Sequence, residues 1–120
     1  MFQGSQSLNV DVKGRVAVPS RYRDLLAAVC EGRLVVTANP YERCLNIYPE
    51  PQWKEVKAKI ESLPNSKKQV RRLQRLVLGN ASELEMDSNG RLLLPSTLRE
   101  FANLDKKVVL VIFINVTQRN

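Results

Sequence analysis

The chain carries one short motif twice, and this duplication constrains the fold more than any other feature of the sequence. The first copy, at residues 11–15, is Asp-Val-Lys-Gly-Arg. The second, at residues 87–91, is Asp-Ser-Asn-Gly-Arg, and in each copy Pro-Ser follows four residues after the arginine. When residues 8–25 are laid over residues 84–101, seven of the 18 positions are identical. A repeat of this kind indicates a fold assembled from two similar supersecondary units.

Each copy of the motif has the composition of a tight turn between two strands. Residues 6–10 and 15–18 alternate polar and apolar side chains, as half-buried strands do. Between them, an aspartate can accept backbone N–H groups and a glycine can adopt a positive φ. A proline then ends the second strand, because it cannot donate to a sheet ladder. The sequence therefore predicts a β-hairpin in each unit, followed by a helix.

The two units and their connection can be bounded from composition and periodicity. Residues 1–64 form the first repeat, with a hairpin, a helix, two strands and a second helix. Residues 65–80 form a basic connecting helix, and residues 81–120 form the second repeat, which is truncated or altered after residue 111. A lone hairpin is unstable in water and needs a partner for its apolar face. We therefore predict an α+β, mainly β fold: a pseudo-two-fold β-barrel of two interleaved repeats with flanking helices.

Positive charge is in excess and has one dense segment. The chain has 19 Lys and Arg residues against 12 Asp and Glu residues, a formal net charge of +7. Such a balance suits a polyanionic partner or simply a soluble surface. Five cations fall within nine residues that contain no acid: Lys67, Lys68, Arg71, Arg72 and Arg75. The sequence leaves open whether they form a solvated helix face, pair with a neighbouring subunit or bind a polyanion.

The repeated turns offer more specific binding chemistry. Arginine can chelate a guanine edge in the major groove, lysine or asparagine can contact a base or a phosphate, and a glycine amide can approach a phosphate closely. The predicted DNA-contacting residues are Lys13, Gly14, Arg15, Asn89, Gly90 and Arg91. Asp11 and Asp87 are predicted to shape the loops. The alternative is that each arginine only pairs with the aspartate of its own turn and fixes the hairpin.

Catalytic and metal-binding functions have little support in the sequence. The chain contains no histidine and only two cysteines, which lack CxxC spacing, and this excludes His-based catalysis and most zinc sites. Cys30 and Cys44 are expected to be reduced, partly buried thiols of the core, and an enzymatic role through Cys30 or the two aspartates is a remote alternative. We predict no enzyme activity, no metal ion, no cofactor and no small-molecule substrate.

The location of the protein is also an expectation from the sequence. No apolar run is long enough to span a membrane. The first residues have neither the basic nor the apolar region of a secretory peptide. We therefore expect a cytoplasmic, nucleoid-associated protein that has no membrane partner.

Several short motifs along the chain, including both turns, occur together in one known family. They are Met1-Phe2 with Gly4, Asp11-x-x-Gly14-Arg15 with Pro19-x-x-Tyr22-Arg23, Cys44-Leu45-x-x-Tyr48-Pro49, Arg71-Arg72-Leu73-Gln74-Arg75, Gly79-Asn80-Ala81-Ser82-Glu83, and Asp87-x-x-Gly90-Arg91-x-x-x-Pro95. Over residues 1–111 the chain resembles the MraZ family of bacterial transcriptional regulators. The resemblance implies an AbrB-like, swapped-hairpin barrel with two repeats in one chain.

The resemblance also carries implications for function. It implies a homo-oligomeric ring that binds double-stranded DNA at short tandem repeats in a promoter, including the promoter of its own gene at the head of the division and cell-wall gene cluster. The two Asp-x-x-x-Arg loops would be the DNA contacts. Residues 112–120 depart from the family, because they lack the glycine-rich turn, the strand and the helix that the family has after this point and that mirror residues 39–63 of the first repeat. The alternative function is a basic oligomeric scaffold or interaction module that binds nucleic acid non-specifically.

Overall fold

The described part of the chain is a mixture of short strands and helices. The computed structural model describes residues 2–102 and 106–114. In chain order, its elements are β1 (Phe2–Asn9), β2 (Arg15–Ala17), α1 (Ser20–Cys30), β3 (Arg33–Ala38), β4 (Leu45–Pro49), α2 (Glu50–Glu61), α3 (Lys68–Gly79), β5 (Ser82–Glu85), β6 (Arg91–Leu93), α4 (Ser96–Ala102) and β7 (Lys107–Ile114). Helical residues outnumber strand residues in these ranges, so the emphasis on β structure is wrong. Most of the divergent C-terminal segment, residues 115–120, lies outside the described residues.

The strands form two sheets, and neither closes into a barrel within the described ranges. A five-stranded sheet has the order β1-β7-β4-β3-β5, and β2 and β6 form a separate two-stranded ribbon. Strands β4 and β7 run parallel, while the other neighbouring strands are antiparallel. The prediction of a closed barrel is wrong for this part of the chain, because β1 and β5 lie at opposite edges of the large sheet. The mixed α and β class, with helices flanking the sheets, is confirmed.

The strands on either side of each turn separate instead of pairing as a hairpin. The Asp11 N–H donates to the Arg15 carbonyl at 2.9 Å, and the Asp87 N–H donates to the Arg91 carbonyl at 2.9 Å. Beyond these bonds, β1 pairs with β7, β5 pairs with β3, and the two short strands β2 and β6 pair with each other. The predicted hairpins are therefore wrong, because each three-residue strand finds its partner in the other repeat.

The five-stranded sheet separates two apolar clusters. On one face, Val16 and Leu92 of the ribbon pack against the sheet together with α1 and α4. On the other face, α2 and α3 pack around Trp53 and Val77. The hydroxyl of Thr37, which is fully buried in β3, donates to the Val77 carbonyl at 2.5 Å and ties α3 to the sheet. The ribbon and α3 consequently lie on opposite sides of the sheet.

Candidate nucleic-acid interface

Asp11 holds the first turn together. Its Oδ1 atom accepts the backbone N–H groups of Lys13 and Arg15, each at 2.9 Å. Its Oδ2 atom accepts the Nε–H of Arg15 at 3.0 Å in an ion pair. The backbone N–H of Arg15 is the main cause that lowers the pKa of Asp11, and the guanidinium of the same residue adds to it. The carboxylate therefore stays ionised at neutral pH and positions both the turn and the arginine.

The second turn repeats this arrangement with a looser arginine. The Asp87 Oδ1 accepts the backbone N–H of Asn89 at 2.8 Å and that of Arg91 at 2.9 Å. These backbone donors, chiefly that of Arg91, lower the pKa of Asp87. The Arg91 Nε lies 3.5 Å from the carboxylate Oδ2, but it has no hydrogen-bond partner within the described residues. The guanidinium of Arg91 is thus held less firmly than that of Arg15.

Pairing of β2 with β6 brings the two turns to one surface. The Val18 N–H donates to the Gly90 carbonyl, and the equivalent Leu94 N–H donates to the Gly14 carbonyl, both at 3.0 Å. These reciprocal bonds link each turn to the strand that follows the other turn. The charge of Arg15 also contributes to lowering the pKa of Asp87 in the second turn. The sequence could not show this juxtaposition, because it depends on which strands pair.

The two turn glycines lie beneath this surface, not on it. Gly14 has φ +87° and Gly90 has φ +73°, and both are buried. Their N–H groups donate to the carbonyls of Asp11 and Asp87, each at 3.0 Å. The expectation that these amides are open to a phosphate is wrong, because each amide hydrogen is already used inside its turn. Positive φ is the property that the glycines supply.

Two further arginines, which the sequence analysis did not assign to the site, cover these glycines. Arg99 of α4 lies against Gly14, and Arg23 of α1 lies against Gly90, so each arginine packs on the turn of the other repeat. The Arg99 Nε–H donates to the Leu94 carbonyl at 3.1 Å, and Arg23 Nη1 donates to the Asn89 carbonyl at 3.4 Å. In the sequence, both arginines occupy the same position of the two repeats, and this identity is the signal that could have predicted them.

The outward face of the ribbon completes the surface. Val16 and Leu92 point into the core, so the alternation of strand side chains places the flanking residues outward. The register sets Arg15 opposite Leu93 and Ala17 opposite Arg91. Ala17 and Leu93 are exposed. They were not predicted as site residues, although each is the middle residue between two apolar residues and therefore faces the opposite way from them. We call residues 11–13, 15, 87–89 and 91, together with Ala17 and Leu93, the turn surface.

The predicted contact residues differ in exposure on the turn surface. Lys13 and Asn89 are exposed at equivalent positions of the two turns. The side chains of Arg15 and Arg91 are 27% and 33% exposed, and each faces its own aspartate through Nε. The outer edge of each guanidinium carries further N–H donors. The turn surface therefore has two oriented guanidinium groups, one flexible cation and one amide.

The basic segment of α3 is separate from the turn surface. Lys67, Lys68, Arg72 and Arg75 are exposed on the side of the sheet where α2 and α3 pack. Arg71 is also exposed, and its Nη1 donates to the carbonyls of Asn65 and Ser66, both at 3.0 Å. The structure does not bring these cations together with the turns. A duplex lying on the turn surface would be on the opposite side of the sheet from these cations.

The described parts of the chain contain no candidate metal site, and both cysteines are buried. No group of three or more His, Cys, Asp or Glu side chains in these ranges could hold a metal ion. Cys30 and Cys44 are buried, unbridged thiols, and burial raises the pKa of both. They are therefore poor nucleophiles at neutral pH. In the same ranges, no helix is both long and apolar enough to cross a membrane.

The geometry defines a duplicated protein in which two equivalent Asp–Arg turns, one from each repeat, lie on one surface. Sequence comparison identifies its family. Residues 1–76 and residues 77–116 match the family described as "MraZ protein, putative antitoxin-like". The chain belongs to the MraZ family, and the resemblance predicted from the motifs is confirmed.

Curated relatives of the chain carry the name transcriptional regulator MraZ. The protein from Saccharophagus degradans is 57% identical over 111 residues, which are 92% of this chain and 76% of the relative. The protein from Nitrosomonas europaea is 54% identical over 110 residues, 92% of this chain and 74% of the relative. The protein from Pseudomonas aeruginosa strain LESB58 is 49% identical over 118 residues, 98% of this chain and 78% of the relative.

Proposed function

We propose that the chain is a sequence-specific DNA-binding transcriptional regulator that contacts double-stranded DNA through the turn surface. The relatives are named as transcriptional regulators, and the net charge of +7 favours a polyanionic partner. A two-stranded ribbon is narrow enough to enter the major groove. The single observation that carries the proposal is the pairing of β2 with β6, because it sets Arg15 and Arg91 on the outward face of one ribbon.

Each residue of the turn surface has a chemical role in this proposal. Arg15 and Arg91 present planar donors that suit the O6 and N7 atoms of guanine, and Asn89 suits adenine or a phosphate. Lys13 is exposed on the first turn and suits a phosphate. Gly14 and Gly90 act indirectly. Because they have no side chain, each turn can form with an arginine of the other repeat packed against its glycine.

The ion pairs of the turns favour binding over a purely structural role. Arg15 and Asp11 are both partly exposed, and exposed ion pairs contribute little to stability. The same contact restricts the guanidinium of Arg15 before DNA arrives. A side chain that is already oriented loses less conformational entropy on binding. Asp11 and Asp87 therefore prepare the arginines for the groove.

The proposal also includes the DNA target, the location in the cell and the oligomeric state. The target is a set of short tandem promoter repeats, including the promoter of the chain's own gene, in the division and cell-wall gene cluster, and the protein is cytoplasmic and associated with the nucleoid. Strand β2 pairs with β6 of the other repeat, and this pairing between repeats supports the AbrB-like, swapped-hairpin type of fold with two repeats. A ring-shaped homo-oligomer would contact several repeats together, and the contacts would add through effective concentration.

The side of α3 offers a surface for contact between subunits. A cleft of about 510 Å³ lies between α3 and the loop after β3, and it is lined by Pro40, Tyr41, Gln69, Val70, Arg72, Leu73 and Leu76. Tyr41 is 87% exposed beside partly buried leucines of α3. Since this cleft is across the sheet from the ribbon, a second copy bound there would leave the turn surface free for DNA.

A non-specific scaffold is the second candidate function, and the basic face of α3 favours it. Residues 62–82 contain no acid but five cations, and such a surface binds any nucleic acid through its phosphates. In that case the cations of α3 would control affinity, and the turn surface would contribute little. The two candidates therefore predict opposite outcomes for substitutions on the two sides of the sheet.

The test compares Arg15→Ala with Arg75→Ala, which removes the same charge from the side of α3. Affinity is measured by fluorescence anisotropy at fixed salt, with a duplex from the promoter region of the chain's own gene and with an unrelated duplex. We expect Arg15→Ala to lose about 1–3 kcal/mol of binding free energy on the promoter, the scale of one bidentate contact with a base. Arg75→Ala should bind nearly as tightly as the unchanged chain. Equal affinity for both duplexes, with the greater loss in Arg75→Ala, would establish the scaffold instead.

A further inference from the structure

We infer that Leu93 recognises the methyl group of a thymine next to the base that Arg15 contacts, and that it gives the turn surface a direction along DNA. The inference rests on the proposed function of that surface and adds a residue that belongs to neither turn motif. Leu93 is 58% exposed, while its neighbours Leu92 and Leu94 are buried. The fold does not use this leucine in its core.

Leu93 stands directly beside a DNA-binding candidate. The ribbon register pairs it with Arg15, and both residues face outward. Directly opposite residues of an antiparallel pair have Cβ atoms roughly 4.5–5.5 Å apart. That separation lies between one and two base-pair steps of about 3.4 Å along the duplex. The arginine and the leucine can therefore reach neighbouring bases in one groove.

The chemistry of the major groove leaves one suitable contact for an exposed leucine. Base edges there present hydrogen-bond donors and acceptors, and the only apolar group among them is the C5-methyl of thymine. Burial of an apolar side chain against that methyl removes both from water. Next to phosphates or to the other bases, Leu93 would gain no comparable contact. The pair of Arg15 and Leu93 therefore selects a thymine beside the guanine that Arg15 contacts.

The same leucine breaks the symmetry of the turn surface. The residue 76 positions earlier is Ala17, which lies opposite Arg91. With identical residues at these two positions, the two strands of the ribbon would not distinguish the two directions of the duplex. Only the half that contains Arg15 has a long apolar neighbour, and the exposed Lys13 of the first turn is replaced by Asn89 in the second. The chain consequently favours one orientation, as tandem repeats of one direction require.

The experiment uses the whole chain and two forms of the promoter duplex, one made with thymine and one with deoxyuridine, which lacks only the methyl group. The unchanged chain should bind the deoxyuridine duplex about fourfold more weakly, which is the scale of burying one methyl group. Leu93→Ala should bind both forms with equal affinity. Arg15→Ala should bind both more weakly but keep the fourfold ratio.

The controls separate the inference from the proposed function. Leu93→Ala places at this site the residue that the first repeat already has at its exposed equivalent, Ala17, so its thermal unfolding should match that of the unchanged chain. A fourfold ratio that persists in Leu93→Ala, or no ratio in the unchanged chain, would overturn the role of Leu93 and leave promoter binding standing. If the unchanged chain bound the promoter duplex and an unrelated duplex with equal affinity, the proposed function itself would be overturned. Two further duplexes carry deoxyuridine in only one strand each, and they test whether the chain binds DNA in one orientation. Equal losses of affinity for these two duplexes would refute a single orientation.

Discussion

Replacement of Gly90 by alanine should destabilise the fold more than the same change at Gly14. Both glycines have positive φ, where alanine costs about 1–2 kcal/mol. Their surroundings differ. A Cβ at Gly14 would lie 2.7 Å from Cζ at the flexible end of Arg99, whereas a Cβ at Gly90 would overlap the Cδ methylene of Arg23. The end of a long side chain can move aside, but a methylene near its middle moves only with the rest of the chain.

The magnitudes follow from these two contributions. For Gly14→Ala we expect a loss of about 1–2 kcal/mol in the free energy of unfolding, the cost of the backbone conformation alone. For Gly90→Ala, overpacking against Arg23 adds about 1–3 kcal/mol. Gly79 is the matched control, because its φ is not positive and, apart from its chain neighbours and the backbone of its own helix, no atom lies within 4 Å of its Cβ position. Gly79→Ala, at the end of α3, should be neutral or gain up to about 1 kcal/mol.

The assay is urea unfolding followed by the fluorescence of Trp53, the one tryptophan of the chain, which is a buried residue of α2. The double variant Gly90→Ala with Arg23→Ala removes the steric overlap. It should therefore be more stable than the sum of the two single losses predicts, since contacting residues do not behave additively. Equal losses at Gly14 and Gly90, together with additive behaviour of the double variant, would refute the packing of Arg23 on the second turn.

Two further predictions concern the aspartates and the attachment of α3. The folded-state pKa values of Asp11 and Asp87 lie below the ordinary 3.8, so their stabilisation is complete above that value and is lost as pH falls through the lowered pKa. When both are replaced by Asn, the free energy of unfolding, measured by urea titration at a series of acid pH values, should decrease less steeply as pH falls. An unchanged dependence on pH contradicts this prediction. Thr37→Val should cost about 1–3 kcal/mol, because the buried Val77 carbonyl loses its donor. In urea unfolding, the exposed control Thr97→Val should change stability by less than about 0.5 kcal/mol, and an equal loss in both variants contradicts the prediction.

The turns could be predicted from the sequence because their interactions are local. Asp11 bonds to groups two and four residues away, and the same contacts recur at Asp87. The need for positive φ at Gly14 and Gly90 could be read from the same short segment. Family membership was predictable for a related reason, since the motifs that identify it are contiguous in the chain.

Contacts between the repeats were not predictable in the same way. Arg23 and the Asn89 carbonyl that it contacts are 66 residues apart, and nothing in either segment names the other as a partner. The glycines were therefore expected to be accessible, whereas the folded chain covers them with arginines from the opposite repeat. Leu93 was likewise missed, because a run of three leucines does not by itself show which one faces outward.

The sequence by itself determined that two equivalent turns exist, that an aspartate and a glycine shape each of them, and that an arginine follows. Tertiary structure alone decided that β2 pairs with β6, that the large sheet is open in the described residues, and that both turns share one surface. The physical reason is that periodicity assigns a face to a strand but not a partner. A three-residue strand buries too little area to choose its neighbour, so the choice is made by the packing of both repeats together.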